Sequence, residues 1–194
     1  MEALAVQRIW PALRKARRLR GHALALRNAV AGDAAFIHAQ RTDARNAEHL
    51  SPTSARLADQ VAWMQRYAQD DSQAYFVIES LDGLPLGTVR LYDAQEGSFC
   101  WGSWILSASA APTAAMESAL IVYRYALDEL GFNASHFQVN LGNTSVCRFH
   151  EQFFGARRVA QDDTEIHFVA TEAALRAALK RWSRFLPAGI VVET

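Results

Sequence analysis

Two hydrophobic periods divide this chain into strands and helices. Alternation with period two marks "HALALRNA" (22–29) as a strand, and the apolar run "AYFVIES" (74–80) as a buried one. Asp82-Gly83 then forms the turn of a hairpin whose second strand is "LGTVRLYDA" (86–94), and "SFCWGSWILS" (98–107) follows as a third. "HFQVNL" (136–141) is a further strand, and 157–171 holds two short ones around Asp162-Asp163. Helical spacing governs the rest. Gly32-Asp33 opens a helix through about Thr42, with Asp33 as a first-turn acid. Thr53 or Ser54 caps a second helix carrying Leu57, Val61, Met64 and Tyr67. "MESALIVYRYALDELGF" (116–132), apolar on most faces and stopped at Gly131, predicts a central buried helix. Residues 144–153 form a short helix closed by Gly155, and "EAALRAALKRWSRFL" (172–186) a terminal amphipathic one. Residues 3–19 also read as a helix, with Leu4, Ile9, Trp10 and Leu13 on one face and Pro11 interrupting. With no repeat, linker or low-complexity tract, one domain follows, flanked by two terminal helices.

Charge changes this picture in one place. The 194 residues carry no net charge, which removes any global case for nucleic-acid binding. Residues 1–21, however, hold six basic side chains against Glu2 and are net +5, leaving −5 for the remainder. That basic face suits a solvated helix docked on the body, a contact with an anionic surface, or a targeting leader. No stretch is apolar enough to span a membrane, and no secretory signal is recognisable. Cys100 and Cys147 lack metal-type spacing and read as reduced thiols of a cytoplasmic protein. The six histidines form no ligand pattern, so no metal is expected. A homodimer stays open.

Three stretches in order resemble the GCN5-related N-acetyltransferase (GNAT) family: "LRNAVAGDAAFIHAQR" (26–41), "DGLPLGTVRLYDA" (82–94) and "NTSVCRFHEQFFGARRV" (143–159). The resemblance covers about residues 22–170. It leaves 1–21 as a basic helical extension and 171–194 as a C-terminal helix and tail. It implies an α/β (α+β) fold whose mixed, mostly antiparallel central sheet of six to seven strands is flanked by helices. It also implies transfer of an acetyl group from acetyl-CoA to an amine. The cofactor would sit in a splay between strands 98–107 and 136–141. Its pantetheine would pair with backbone around Trp104, Ile105 and Ser107, and its pyrophosphate would rest on amides around Pro112, Thr113, Ala114, Ala115 and Met116. Physics supports the last placement: a helix N-terminus presents unpaired amides and partial positive charge. The bland alternative is an alanine-rich loop built for tight packing. The stretch departs from the family pattern in having no glycine. Glu117 falls near its last small position, where a carboxylate repels pyrophosphate unless it points away along the helix.

The chemistry is less complete. The strand that carries a glutamate in many family members has Cys100 and no acid, leaving Glu96 at its mouth, or Glu79 on an earlier strand, as base, with solvated surface acids as the alternative. Seven residues after Asn143 stands His150, where the family often has a tyrosine that protonates the leaving thiolate. A protonated imidazole can donate that proton, and a neutral one can act as base through water. The alternative is an edge residue of the apolar face made by Val146, Phe149 and Phe153. One phenylalanine more than expected before Gly155 could also rotate His150. Asn143 either bonds pantetheine or caps the helix. For the acceptor, segment 41–54 offers Arg41, Asn46 and His49, and Trp63 and Trp101 are candidates to stack on a ring. A small amine follows, such as an amino sugar or sugar nucleotide. The alternatives are a ribosomal-protein or protein N-terminal acetyltransferase, and a non-catalytic acyl-CoA sensor.

Overall fold

A computed structural model describes residues 10–194. Among them one nine-stranded sheet runs in the order β7-β8-β6-β5-β4-β3-β2-β1-β9. It comprises β1 (Arg18–Arg20), β2 (Leu24–Asn28), β3 (Ala74–Ser80), β4 (Pro85–Gln95), β5 (Ser98–Leu106), β6 (Ala134–Asn140), β7 (Arg157–Gln161), β8 (Glu165–Thr171) and β9 (Val191–Glu193). Every neighbouring pair is antiparallel except β5 and β6, which run parallel. The helices are α1 (Ala34–Thr42), α2 (Ala44–Ala47), α3 (Leu57–Ala68), α4 (Ala114–Arg124), α5 (Thr144–Phe154) and α6 (Glu172–Arg181). The fold is the mixed, mostly antiparallel one expected, with two strands beyond the upper expectation.

The two-residue period of β3 divides the interior. Ala74, Phe76 and Ile78 point into the larger core with α4, α5 and α6, while Tyr75 and Val77 point into a smaller core with Ile37 of α1 and Met64 and Tyr67 of α3. Helices thus cover both faces, and each face can present a different ligand surface.

The N-terminal helix is corrected. Residues 1–9 lie outside the described residues, and from residue 10 the chain is irregular until β1. Pro11 lacks the amide a helix needs there. Leu13, Ala16 and Leu19 bury their side chains from non-helical backbone. The strap is pinned by hydrogen bonds: Arg14 donates to the Glu129 carbonyl at 2.8 Å, Lys15 to the Tyr67 carbonyl at 2.9 Å, and the Tyr125 hydroxyl to the Arg14 carbonyl at 2.8 Å. β1 then joins the sheet between β2 and β9, and β9, missed in the sequence, is drawn from the short run Ile190-Val191-Val192.

Other boundaries move for local reasons. α3 begins at Leu57, because Ser54 instead bonds Asp59 (2.6 Å) and the Arg56 amide (3.2 Å). α4 begins at Ala114, two residues early, and continues as a π-helical turn over Tyr125–Glu129. α6 ends at Arg181, followed by a 3-10 turn over Ser183–Phe185.

Candidate active site

The parallel pair β5–β6 holds together only at Ser98–Ala134 and Phe99–Ser135, and beyond these residues the two strands part. This opens the sheet into the expected splay. β5 is also irregular. Thr88 pairs with Ile105 and Arg90 with Gly102, so three steps of β5 oppose two of β4. The extra residue falls at Ser103, whose φ of 47° lies in the left-handed region. The bulge puts Trp101 and Trp104 on the same face and turns Ser103 to the other.

On the α4 side, the His150 ring of α5 enters the splay. Its centroid lies 4.3 Å from that of Phe137 on β6, 5.2 Å from Trp101 and 6.2 Å from Trp104. The residue is 4% exposed, and Nδ1 is buried without a hydrogen-bond partner. Burial among these rings pushes the imidazole pKa down to about 3, so the ring is neutral near pH 7. Of the two roles considered, burial favours the neutral ring over donation from an imidazolium. The extra phenylalanine does not turn the ring away: Phe154 is fully buried against Tyr123, with centroids 4.9 Å apart, and Phe153 packs on Trp182.

The edge of β5 needs one adjustment. The Ser107 amide donates to the Leu86 carbonyl at 2.7 Å, and the Ile105 carbonyl points at Gly87, whose added Cβ would lie 2.0 Å from that oxygen. Ile105 and Ser107 therefore turn their backbone groups toward β4. By the two-residue period, Trp104 and Leu106 present theirs to the splay. Trp104 keeps its place, and Leu106 replaces Ile105 and Ser107 as the free edge.

The start of α4 fits an anion. Thr113 makes no side-chain cap, and while the Ala114 amide donates to the Ala111 carbonyl at 2.9 Å, those of Ala115 and Met116 have no backbone acceptor among the described residues. Pro112, Ala114 and Ala115 add little bulk. Glu117 does not obstruct them. Its carboxylate turns to the β1–β2 turn, where one oxygen accepts from the amides of His22 (2.7 Å), Ala23 (2.7 Å) and Leu24 (3.0 Å). Asn143 caps α5 by accepting from the Val146 amide at 3.3 Å, which realises the capping alternative.

The opposite face carries a cavity of about 340 Å³, lined by Arg41, Thr53, Trp63, Arg66, Tyr75, Arg90 and Ser103 among others. Arg41 organises its wall, donating to Thr53 Oγ1 (2.9 Å), Ser51 Oγ (2.9 Å) and Ser103 Oγ (3.0 Å). His49, on the same loop, packs beside Gly142, so the segment reaches across the splay. Trp63 stacks on Tyr67 (5.6 Å, 4°) and lies under the Arg90 guanidinium (5.3 Å), supporting the pocket rather than offering an open platform.

His49 does not line this pocket, and neither do Trp101, Asn46 and Glu96 among the expected acceptor and catalytic residues. Trp101 is 4% exposed on the α4 face and donates to the Tyr123 hydroxyl at 3.1 Å. It supports His150 instead of an acceptor ring. Asn46 donates to the Gln40 carbonyl at 2.9 Å and lines a separate recess of about 250 Å³ beside Leu106 and Ser107. Glu96 sits exposed at the tip of the β4–β5 hairpin, at the closed end of the splay, five residues or ~16 Å of strand from Trp101. Glu79 is bound to Arg18 (3.0 Å) and Arg27 (3.1 Å) and is structural. Both cysteines are buried; burial pushes the Cys100 thiol up to about 11 and raises that of Cys147, so neither is a ready nucleophile. Arg90 and Tyr75 were missed. The available signal for Arg90 was a lone charge inside an apolar strand. No cluster of potential metal ligands occurs among the described residues, and none of their helices is long and apolar enough to cross a membrane.

A sheet opened beside a bulge, with a helix N-terminus on one face and a cationic cavity on the other, defines an acyltransferase of the two-sided-cleft type. The chain belongs to the GNAT acetyltransferase family: residues 23–153 match the profile described as Acetyltransferase (GNAT) domain. Among solved structures it is similar to apo FdhC, described as a nucleotide-linked sugar GNAT, at 35% identity and a TM-score of 0.78, covering 87% of this chain and 98% of that one. The fold is shared with a probable GNAT-family acetyltransferase from Chromobacterium violaceum (16% identity, TM-score 0.74, 91% and 96% coverage). It is also shared with a GCN5-related N-acetyltransferase from Brucella melitensis (17%, 0.74, 94% and 91%). No curated protein matches the sequence.

Proposed function

We propose that this protein is an acetyl-CoA-dependent N-acetyltransferase whose acceptor is a small amine, an amino sugar carried on a nucleotide. The observation that carries this reading is the opposition of two surfaces across the splay. An anion-compatible helix start and the orphaned His150 lie on one face, and an arginine-lined cavity lies on the other. The similarity to a nucleotide-linked sugar GNAT supports the acceptor class.

When bound, acetyl-CoA supplies an activated acyl thioester. The free edge at Trp104 and Leu106 and the α4 amides would hold it. His150, neutral and with an unpaired nitrogen, orients or hydrogen-bonds the departing sulfur rather than delivering a proton from an imidazolium. No buried acid stands in the splay among the described residues, so the amine arrives neutral or gives its proton to water. Alignment of amine and thioester then supplies much of the rate.

The test is release of free thiol from acetyl-CoA across a panel of free amino sugars, nucleotide-linked amino sugars and peptides with free N-termini. Turnover confined to the nucleotide-linked compounds is expected. Peptide turnover alone would replace the acceptor class, and cofactor binding without thiol release from any amine would identify a sensor. His150→Phe with unchanged turnover and cofactor affinity would remove His150 from the chemistry.

A further inference from the structure

Arg90 occupies an unusual position for an arginine. It lies on β4 within the cavity, with its guanidinium 5.3 Å from the Trp63 ring centroid and 4.8 Å from that of Tyr92. Nε donates to Gln73 Oε1 at 2.5 Å, and the Gln73 amide donates in turn to Asp70. This chain fixes the plane of the guanidinium while leaving both terminal nitrogens without a protein acceptor. No carboxylate pairs with Arg90 among the described residues. Beside it, Tyr75 is 2% exposed, and its hydroxyl is buried without a partner, near Thr88 and Arg41 but in poor geometry for a bond to either.

Buried polar groups left unpaired are rare, because each costs the full desolvation of the group. Here one such group, the Tyr75 hydroxyl, stands in the cavity beside the free fork of half-buried Arg90. The cavity lining holds Arg41, Arg66 and Arg90 against Asp59 alone, a net charge of +2. Arg41 is already engaged by the 51–53 loop and Ser103, and Arg66 stands exposed on α3, so Arg90 is the half-buried guanidinium that faces a ligand beside Tyr75. A planar fork with free terminal nitrogens matches the paired oxygens of a phosphate.

We propose that Arg90 and the Tyr75 hydroxyl form the subsite that takes the diphosphate of a nucleotide-linked acceptor, making them specificity-determining residues. The proposal rests on the acceptor reading above and sharpens it. Arg90 pairs with Gly102 across the β4–β5 ladder, directly beside the bulge.

The experiment is calorimetric titration of the full chain with UDP, dTDP, pyrophosphate and malonate, with coenzyme A present to fill the α4 site. Wild type, Arg90→Met and Tyr75→Phe are compared. Both nucleoside diphosphates and pyrophosphate should bind, more weakly as salt rises. Arg90→Met should weaken them about tenfold or more, and Tyr75→Phe about three- to tenfold. Tyr75→Phe removes a hydroxyl that has no partner, so its melting temperature should equal that of wild type and serve as the folding control. No nucleoside diphosphate binding at millimolar concentration, unchanged affinity in both variants, or malonate binding as tightly as pyrophosphate would each overturn the subsite. The two readings fail separately. Acetylation of free amino sugars without nucleotide binding sinks the subsite and spares acetyl transfer. Arg90-dependent nucleotide binding without thiol release from any amine does the reverse.

Discussion

His150→Phe tests the electrostatic account of the splay without knowledge of the substrate. In the folded protein the imidazole takes a proton only below about pH 3, because burial disfavours its charged form. In the unfolded chain it takes one below its ordinary value of 6.5. Between these limits the unfolded state binds more protons, so the His150 contribution makes stability rise with pH and fall on acidification. At pH 5 the unfolded imidazole is charged and the folded one neutral. The gap of about 1.5 pH units below 6.5, at about 1.4 kcal/mol per unit, makes the loss relative to pH 7.5 about 2 kcal/mol. Phenylalanine cannot titrate, fills nearly the same volume among Phe137, Trp101 and Trp104, and removes an unpaired nitrogen. Urea unfolding from pH 7.5 to pH 5 should therefore show wild type losing about 2 kcal/mol more than the variant. The other five histidines are common to both proteins and cancel in the difference. Equal acid losses, within about 0.5 kcal/mol, would mean that His150 charges freely in the folded state, and the neutral-ring role would fall with it.

Three further expectations concern the frame of the cleft. Glu117→Ala gains helix propensity yet strands three amides of the β1–β2 turn, and should cost about 3 kcal/mol in chemical denaturation; a loss under about 1 kcal/mol would show that the turn does not depend on the carboxylate. Gly87→Ala drives a methyl into the Ile105 carbonyl, so β4 and β5 must separate at the cofactor edge. A destabilisation of about 1–3 kcal/mol with weakened coenzyme A binding is expected, and wild-type values for both would mean that the strands move apart freely. Arg41→Ala releases the 51–53 loop from Ser103, which limited proteolysis should detect as new cleavage within 48–56, with the melting temperature falling by only a few degrees.

The fold was legible where periodicity was long and unambiguous. β3, β4, β5 and α5 lie close to the residues their patterns mark, because burial on a sheet face or a helix face imposes the pattern. The N-terminal segment deceived for a physical reason. The helix reading rested on Leu4, Ile9, Trp10 and Leu13, but an irregular strap can bury residues such as Leu13 and Ala16 at any interval, and only long-range pairing with β2 and β9 makes Arg18–Arg20 a strand. The site was legible in part. His150 was singled out by its spacing from Asn143 in the late motif, and the α4 start by the family resemblance together with the unpaired amides of any helix start. Which residues of β5 face the splay could not be read, since hydrogen-bonding parity depends on the partner strand and shows in no side-chain pattern. Arg90 was hidden for a related reason. A charge within an apolar strand reads as an outward-facing residue until the cavity on that face is known.

The bulge at Ser103 explains how one strand serves two surfaces. A regular β5 would alternate its side chains without interruption, so Trp101 and Trp104 would lie on opposite faces. One inserted residue brings both indoles to the α4 face, where they enclose His150, and sends the Ser103 hydroxyl to the other face, where Arg41 donates to it. The same insertion falls four residues past the last β5–β6 pair, on the stretch of β5 that has already left β6, so its unpaired backbone edge opens between the two surfaces. The left-handed backbone of Ser103 costs of order 1 kcal/mol. The Thr88 hydroxyl offsets part of that cost by donating to the Ser103 carbonyl at 2.8 Å, as does the bond from Arg41. The strained residue thus joins the 51–53 loop, through Arg41, to the stretch of β5 whose edge is free.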